Sequence, residues 1–370
     1  MQPGVLLHLI EPPAWRAALT DGAVRPPSLD SVGFVHLSTP EQVHLPAERL
    51  YPGRRDLVLL VVDPARLTDP VRFEAGVPDD PGDLLFPHLY GPLPTSAVVA
   101  VVPYRPPGAP VLPAPDDAWG RGLALYLSMT VRRATEVRDV PGGVAVADAR
   151  YPHSRAHNRL LLSEETEADE IVALSAAAAA DFGWPHDAAT LRWPGAGRVA
   201  AELAARGWDV EELLLMVRSA ERLPGGDGAE VVEQHEVHDL WSRSWRENEV
   251  APPELVDEVV DQLVGREHLN DLVVRVHDVV AREAGRPVAA GQLYVDGATA
   301  AVESVLTDPG SRGRGHAGAV LARALSIAVD SGCDLVVLEA AAEDWPRHWY
   351  ARRGFRTAGS LWVATRAEAG

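Results

Sequence analysis

The chain has no lysine: its 34 basic residues are all arginine. That absence excludes lysine Schiff-base chemistry and acetylation of a lysine side chain of its own. Cysteine is almost as scarce. The single Cys333 excludes an internal disulfide framework and suits a reducing cytoplasm. Placed between a helix end and an apolar strand, it reads as a small core side chain. No uncharged apolar run approaches the ~18 residues of a membrane span. The first residues, with His8, Glu11 and paired prolines, do not look like a signal peptide. Positive charge is outweighed by 53 Asp and Glu, and the net charge of −19 argues against non-specific nucleic-acid binding. No His/Cys spacing suggests zinc, and no metal is expected. The expectation is a cytoplasmic protein with no membrane or nucleic-acid partner.

What is present suits two or three domains: 370 residues, 46% of them apolar. From the N-terminus to Tyr104, short apolar runs (Val5–Ile10, Gly33–Leu37, Leu57–Val62, Ala97–Val102) alternate with Pro/Gly turns, which suits strands. Helices are expected over Pro13–Leu19 and near Pro40–Leu50. The proline-rich stretch from Arg105 to Pro115 reads as a stiff extended linker. Expected boundaries are 1–104, a linker at 105–118, then 119–222 and 223–370.

The most informative segment runs from Val302 to Leu321. A strand enters a glycine-rich turn, Arg312-Gly313-Arg314-Gly315-His316-Ala317, and then a helix with Val320, Leu321, Ala324, Leu325 and Ala328 on its apolar face. Such a turn converges several backbone N–H groups at a helix N-terminus, where dipole and guanidinium groups suit a pyrophosphate. The helix ends near Gly332; an apolar strand Leu335–Leu338 and Tyr350-Ala351-Arg352-Arg353-Gly354-Phe355 follow.

This order resembles the GCN5-related N-acetyltransferase (GNAT) family, whose R/Q-x-x-G-x-G/A turn holds the pyrophosphate of acetyl-CoA. The resemblance implies that Arg312, Gly313, Arg314, Gly315, His316 and Ala317 cradle the diphosphate. Val305 and Thr307 would lie nearest the pantetheine arm, and Tyr350 would protonate the departing thiolate. Packing against the helix face is the competing reading of Tyr350. Glu303 is the candidate base, against a polar residue facing solvent or an arginine. Glu339, Glu343, Asp344 and His348 lie on the neighbouring strand end and helix start. Trp241, Trp245 and Trp349 read first as core residues and second as walls of an acceptor cleft.

The chain also echoes itself. Leu203–Val217, with Gly207, parallels Tyr350–Ala364, with Gly354, at an offset of 147 residues. Upstream of the first copy, strand Asn158–Leu162, helix Ala168–Ala180, strand Ala188–Trp193 and helix Gly197–Arg206 repeat the same order. This resembles a tandem of GNAT folds. In the first copy Glu164, Glu165, Glu167 and Asp169 replace the glycine turn and would repel a pyrophosphate, and Leu203 replaces Tyr350. The first half is read as degenerate and structural.

In the N-terminal unit, His8, the stretch Arg25–Pro40, the run Leu57–Leu67 and the segment Phe86–Pro94 are similar to a small bacterial family of uncharacterised domains (DUF952). That family has been assigned an ADP-ribosyltransferase-like fold related to RNA 2′-phosphotransferases. His8, His36, Ser38, Thr39 and His88 sit beside apolar strand residues or prolines and form the candidate site of this domain. Each histidine alone can equally be a hydrogen-bonded structural residue. The resemblance implies that His8 and His36 would hold a ribose and orient a nicotinamide. Glu74 is the possible acid counterpart.

The expected fold is therefore α/β (α+β). Tandem GNAT folds, each a mixed central sheet flanked by helices, follow a small β-rich α+β ADP-ribosyltransferase-like domain. The implied activity is acetyl-CoA-dependent N-acyl transfer to an amine, a small molecule or a peptide. An acyl-CoA sensor without turnover and a two-activity fusion acting on NAD, ADP-ribose or a 2′-phosphate are the alternatives. An acidic surface would suit a cationic amine, but net charge does not choose among acceptors, and the oligomeric state stays open.

Overall fold

A computed structural model describes residues 4–76, 84–248 and 253–367. The N-terminal module grows from one apolar strand. Leu57–Val62 is buried along its whole length, because strands Leu6–Ile10 and Val98–Tyr104 pair with it antiparallel on either side. One face of this sheet is covered by helix Pro12–Asp21, which buries Trp15, Ala18 and Leu19 and stops at Gly22 with φ 79°. A second sheet, in the order Val35–His36, Leu85–Leu89, Val71–Ala75, pairs His36 directly with His88. The expected helix near Pro40–Leu50 forms over His44–Leu50.

Residues 105–117 form neither helix nor strand, and they are anchored rather than free. Arg105 Nε lies 2.9 Å from the Asp139 carboxylate, and Pro115 accepts from Arg121 at 2.8 Å. The expected linker is thus clamped at both ends by arginines.

The rest of the chain builds a single mixed sheet of eleven strands. Numbered in chain order these are β1 (Glu136–Val140), β2 (Gly143–Ala147), β3 (Arg159–Leu162), β4 (His186–Leu191), β5 (Asp209–Ser219) and β6 (Glu230–Val232). They continue with β7 (Arg275–Glu283), β8 (Arg286–Asp296), β9 (Thr299–Thr307), β10 (Leu335–Ala341) and β11 (Arg356–Ala367). The spatial order is β6-β7-β8-β9-β10-β5-β11-β4-β3-β2-β1. Outward from the central antiparallel pair β5–β11, each side repeats the same pattern. An antiparallel neighbour comes first (β10 or β4), then a parallel one (β9 or β3), then antiparallel hairpins. The last strand of each half therefore sits inside the other half. β5 and β11, 11 and 12 residues long, begin 147 residues apart at 209 and 356, which is the offset of the internal echo.

Helices connect the strands: α1 (Ala118–Arg133), α2 (Ala168–Phe182), α3 (Gly197–Ala205), α4 (His238–Glu247), α5 (Val256–Gly265), α6 (His316–Asp330) and α7 (Pro346–Ala351). α2 and α6 begin 148 residues apart, at 168 and 316, and cover the same face of their respective halves. α1 covers the opposite face at the sheet centre. Its Leu125 and Met129 pack on Leu215, Val217, Ala301 and Val337, while Ala124 joins the N-terminal sheet.

Buried polar contacts fix the module to this sheet. Trp15 Nε1 donates to Asp296 Oδ1 at 2.7 Å, and the same carboxylate pairs with Arg132. The side chains of Arg132 and Asp296 are 1% and 2% exposed, so neither charge has water as an alternative partner. Arg121 and Arg66 also converge on Asp334, whose side chain is 40% exposed. Removing one member of a buried pair strands the other, at a cost of about 3–5 kcal/mol. Arg132→Met is accordingly expected to lower stability by that amount in urea unfolding, whereas replacing the exposed Arg138 should change it by less than about 1 kcal/mol.

Candidate active site

The site is built where β9 and β10 part. Their parallel pairing covers only Thr299–Ala301 against Leu335–Val337, and β9 then runs on to Thr307 without a neighbour on that side. A bulge opposite Gly291 accompanies the divergence: register shifts between Ala290 and Gln292, and Ser304 takes φ 53°. A Cβ on Gly291 would lie 2.9 Å from Val320 and 3.1 Å from Val305, so glycine is required there. The free edge of β9 offers backbone groups to an extended arm lying between the splayed strands.

Beyond Thr307 the chain turns through Gly313 and Gly315, with φ 78° and 89°, and enters α6 at His316. The amides of residues 313–318 make no backbone hydrogen bond among the described residues. Five of these residues, all but Arg314, line one cleft at the positive end of a 15-residue helix. The cleft encloses about 800 Å³ and is lined by Val305, Thr307, Arg312, Gly313, Gly315, His316, Ala317 and Tyr350 among others.

Arg314 is placed differently from the other residues of the turn. Its guanidinium binds Glu283 at 2.9 and 3.0 Å and the Gly310 carbonyl at 3.1 Å, outside the cleft lining. His316 lies 2.6 Å from the same carboxylate, and together they hold Glu283 below the usual carboxylate range. Arg314 therefore shapes the turn, and the cationic lining comes from Arg312, Arg243 and Arg353. Arg243 and Arg353 carry no sequence signal, since one is on a separate helix and the other lies over the Trp349 ring at 3.8 Å.

Tyr350 is held by its neighbours, with Trp349 and Phe355 rings edge-on at 4.9 and 5.6 Å. Burial first, and the nearby Glu303 charge second, push its phenol well above the ordinary value. It stays protonated throughout the physiological range and can act as an acid. Tyr350 both packs in the core and lines the cleft.

Glu303 is half-buried on the α1 face of β9, where Tyr126 of α1 donates to it. Burial, then Glu339, raise its carboxyl to about 8. Glu339 lies on β10 at the place facing Glu303 had the strand pairing continued, and its own value is also raised by burial. Of the tryptophans, Trp241 is core, as its first reading has it, while Trp349 lines the cleft and Trp245 lines inner cavities.

The equivalent place in the first half is filled from within. Glu165 and Glu167 bind Arg198, Asp169 binds Arg206, and Leu203 is fully buried. No anion cradle is left there.

In the N-terminal module His8, His36 and Ser38 line one cavity of about 340 Å³, with Ser28, Arg49 and Tyr51. His8 is buried, its Nδ1 lies 2.9 Å from the His36 carbonyl, and burial lowers its pKa. Thr39 and His88 are not part of that lining. Thr39 donates to Gln42, and His88 stacks on Phe34 at 3.9 Å with Nδ1 3.2 Å from Glu74. Glu74 also accepts from Tyr90 at 2.7 Å, an aromatic–acid cluster that the sequence spacing does not reveal.

A carboxyl whose pKa is raised on folding binds its proton more tightly in the native state, so its contribution to stability is lost as pH rises from the unfolded value through about 8. Glu303→Gln removes that loss. Its melting temperature should gain on the wild type between about pH 5 and pH 8 and run parallel above; curves parallel throughout would contradict the assignment.

Comparison with known proteins gives two family matches. A family profile described as Acetyltransferase (GNAT) family matches residues 235–355, and one described as Protein of unknown function (DUF952) matches residues 9–101. A functionally unknown conserved protein from Staphylococcus epidermidis shares the fold at 12% identity, over 63% of this chain and 94% of its own, with a TM-score of 0.51. A GCN5-related N-acetyltransferase from Kribbella flavida matches at 18% identity over 68% of this chain and 96% of its own, with a TM-score of 0.46. A protein from Caulobacter crescentus is 31% identical over 29% of this chain and 93% of its own, with a TM-score of 0.25. No curated protein matches. Residues 235–355 thus form an acetyltransferase domain of the GNAT family, and residues 9–101 a domain of the DUF952 family of unknown function.

Proposed function

We propose that this protein transfers an acetyl group from acetyl-CoA to an amine. The observation that carries the reading is the run of amides at 313–318 without backbone partners, five of whose residues line the same cleft as Tyr350 and the splayed edge of β9. A doubly charged pyrophosphate answers the amides and Arg312, and an extended pantetheine arm answers the free strand edge. When bound, acetyl-CoA supplies a thioester open to attack by a neutral amine.

The protein's own groups would then divide two proton transfers. Glu303, as carboxylate, accepts a proton from the incoming ammonium, directly or through one water. Tyr350, kept protonated by burial, gives its proton to the departing sulfur and is replenished from solvent. Arg312, Arg243 and Arg353 bind and orient the phosphate end. With Glu303 near 8 and Tyr350 far above it, kcat/KM should rise with pH to a plateau above about 8 and show no falling limb from Tyr350 in that range. A protonated Tyr350 lining the cleft, with Glu303 on the opposite face of β9 acting on it electrostatically, favours turnover over a purely sensing role.

Thiol release from acetyl-CoA with a panel of amines tests the reading. Tyr350→Phe should lower kcat by roughly 10²–10⁴-fold while acetyl-CoA affinity, read by calorimetry, stays within a few-fold; an unchanged kcat would remove Tyr350 from the mechanism. Arg312→Ala should weaken acetyl-CoA binding by about 1.5–3 kcal/mol. Arg314→Ala should weaken it less, because its guanidinium is committed to Glu283. The reverse order would contradict the assignment of the cradle.

A further inference from the structure

A second cavity, of about 620 Å³, lies between the two halves. Its floor is the sheet face of β3, β4, β5 and β11, and its roof is α5 with Trp245 of α4. Three arginines line it: Arg159 and Arg266 are part-buried, whereas Arg155 is exposed, as are the lining carboxylates Asp209 and Glu211. Arg159 is the anomaly. It opens β3, its Nε is out of contact with solvent and without a hydrogen-bond partner, and no carboxylate lies within ion-pair distance of it among the described residues. Burial lowers its pKa to about 10, so its surroundings disfavour the charge it carries.

Other buried arginines here have acceptors, although Arg323 and Arg347, away from this cavity, share the unpartnered Nε. Arg121 binds Asp334, Arg132 binds Asp296, and Arg133 binds Asn270 and the Ala156 carbonyl. A guanidinium whose inner Nε is buried and unpartnered, beside a cavity large enough for a small molecule, is a candidate site for a planar anion.

The cavity also leads toward the chemistry. Trp245 is a shared wall between it and a smaller space of about 150 Å³ that reaches Ser304 and Val305 at the bulge of β9. Glu339 acts electrostatically on both Arg159 and Glu303, and it sits on β10 beside the position of Glu303 on β9. Basic groups at one end and carboxyls at the other match a molecule with an anion at one terminus and an amine at the other.

We propose that the acceptor is an amine that also carries a carboxylate or phosphate, held through that anion by Arg159. The proposal rests on the acyl-transfer reading and narrows its substrate class. Net charge does not choose among acceptors; the charge proposed to select is the local one of Arg159 at the cavity. Arg159 is a binding residue here; the proton transfers stay with Glu303 and Tyr350.

The test uses the full chain saturated with CoA and follows its melting temperature with two sets of probes. One set carries an anion: glycine, 4-aminobutanoate, glutamate and 2-aminoethyl phosphate. The other does not: ethylamine, butylamine and putrescine. The expected result is stabilisation by anion-bearing amines alone, with the amino acids and 2-aminoethyl phosphate deciding between carboxylate and phosphate. Thiol release from acetyl-CoA should follow the same order. Arg159→Gln should weaken the effective probes about 10- to 100-fold, and Arg159→Lys should restore part of the loss. Both variants should keep the wild-type shift with acetyl-CoA, which shows that they are folded. Stabilisation by putrescine or butylamine to the same degree, no shift with any anion-bearing probe, or an unchanged preference in Arg159→Gln would overturn the proposal. Absence of any shift with acetyl-CoA in the wild type would instead overturn the acyl-transfer reading itself.

Discussion

The antiparallel pairing of β5 with β11 is the contact on which the rest of the molecule depends. Each of these strands ends one half of the chain and is seated between strands of the other. A strand in that position satisfies its backbone on both edges, and neither half can do so alone. The first half, though it has lost its own cradle, thereby remains necessary: without β5, the edge of β10 beside the active cleft would be open.

The same exchange creates the inter-half space. Because the sheet is continuous, the face carrying Glu303 and Glu339 runs on into the face carrying Arg159, and α1, α4 and α5 roof different parts of it. Cofactor and acceptor would then approach from different directions. The α6 face presents unpartnered amides and surface arginines, and the opposite face presents buried carboxyls and an unpaired guanidinium. Burial sets the behaviour of these titratable groups: it raises Glu303 and Tyr350 and lowers Arg159.

Local features of the sequence carried far. The glycine turn was legible because only φ-permissive residues and a periodic apolar helix fit that pattern, and Gly313 and Gly315 do take positive φ. The 147-residue echo was legible because β5 and β11 occupy equivalent places. What remained hidden was non-local. Strand order across the halves is set by pairings some 150 residues apart, which no short pattern encodes. Tyr126 lies on an amphipathic helix 177 residues from Glu303 and reads as an ordinary helix residue. Arg314 looked like a phosphate ligand, and only the fold reveals Glu283 beside it, at the end of β7. The unsatisfied state of Arg159 is likewise a property of packing. In the N-terminal module, His8, His36 and Ser38 meet at one cavity, but His88 belongs to an aromatic cluster with Phe34 and Glu74.

The central claim is that the open amides following Thr307 receive the phosphates of a coenzyme. Amide hydrogen exchange of the intact protein measures that directly. In the presence of acetyl-CoA, peptides covering residues 310–320 should exchange markedly more slowly than in its absence, while the acidic turn at 163–170 should be unaffected. Unchanged exchange at 310–320 under saturating acetyl-CoA, or protection confined to another surface, would contradict the account.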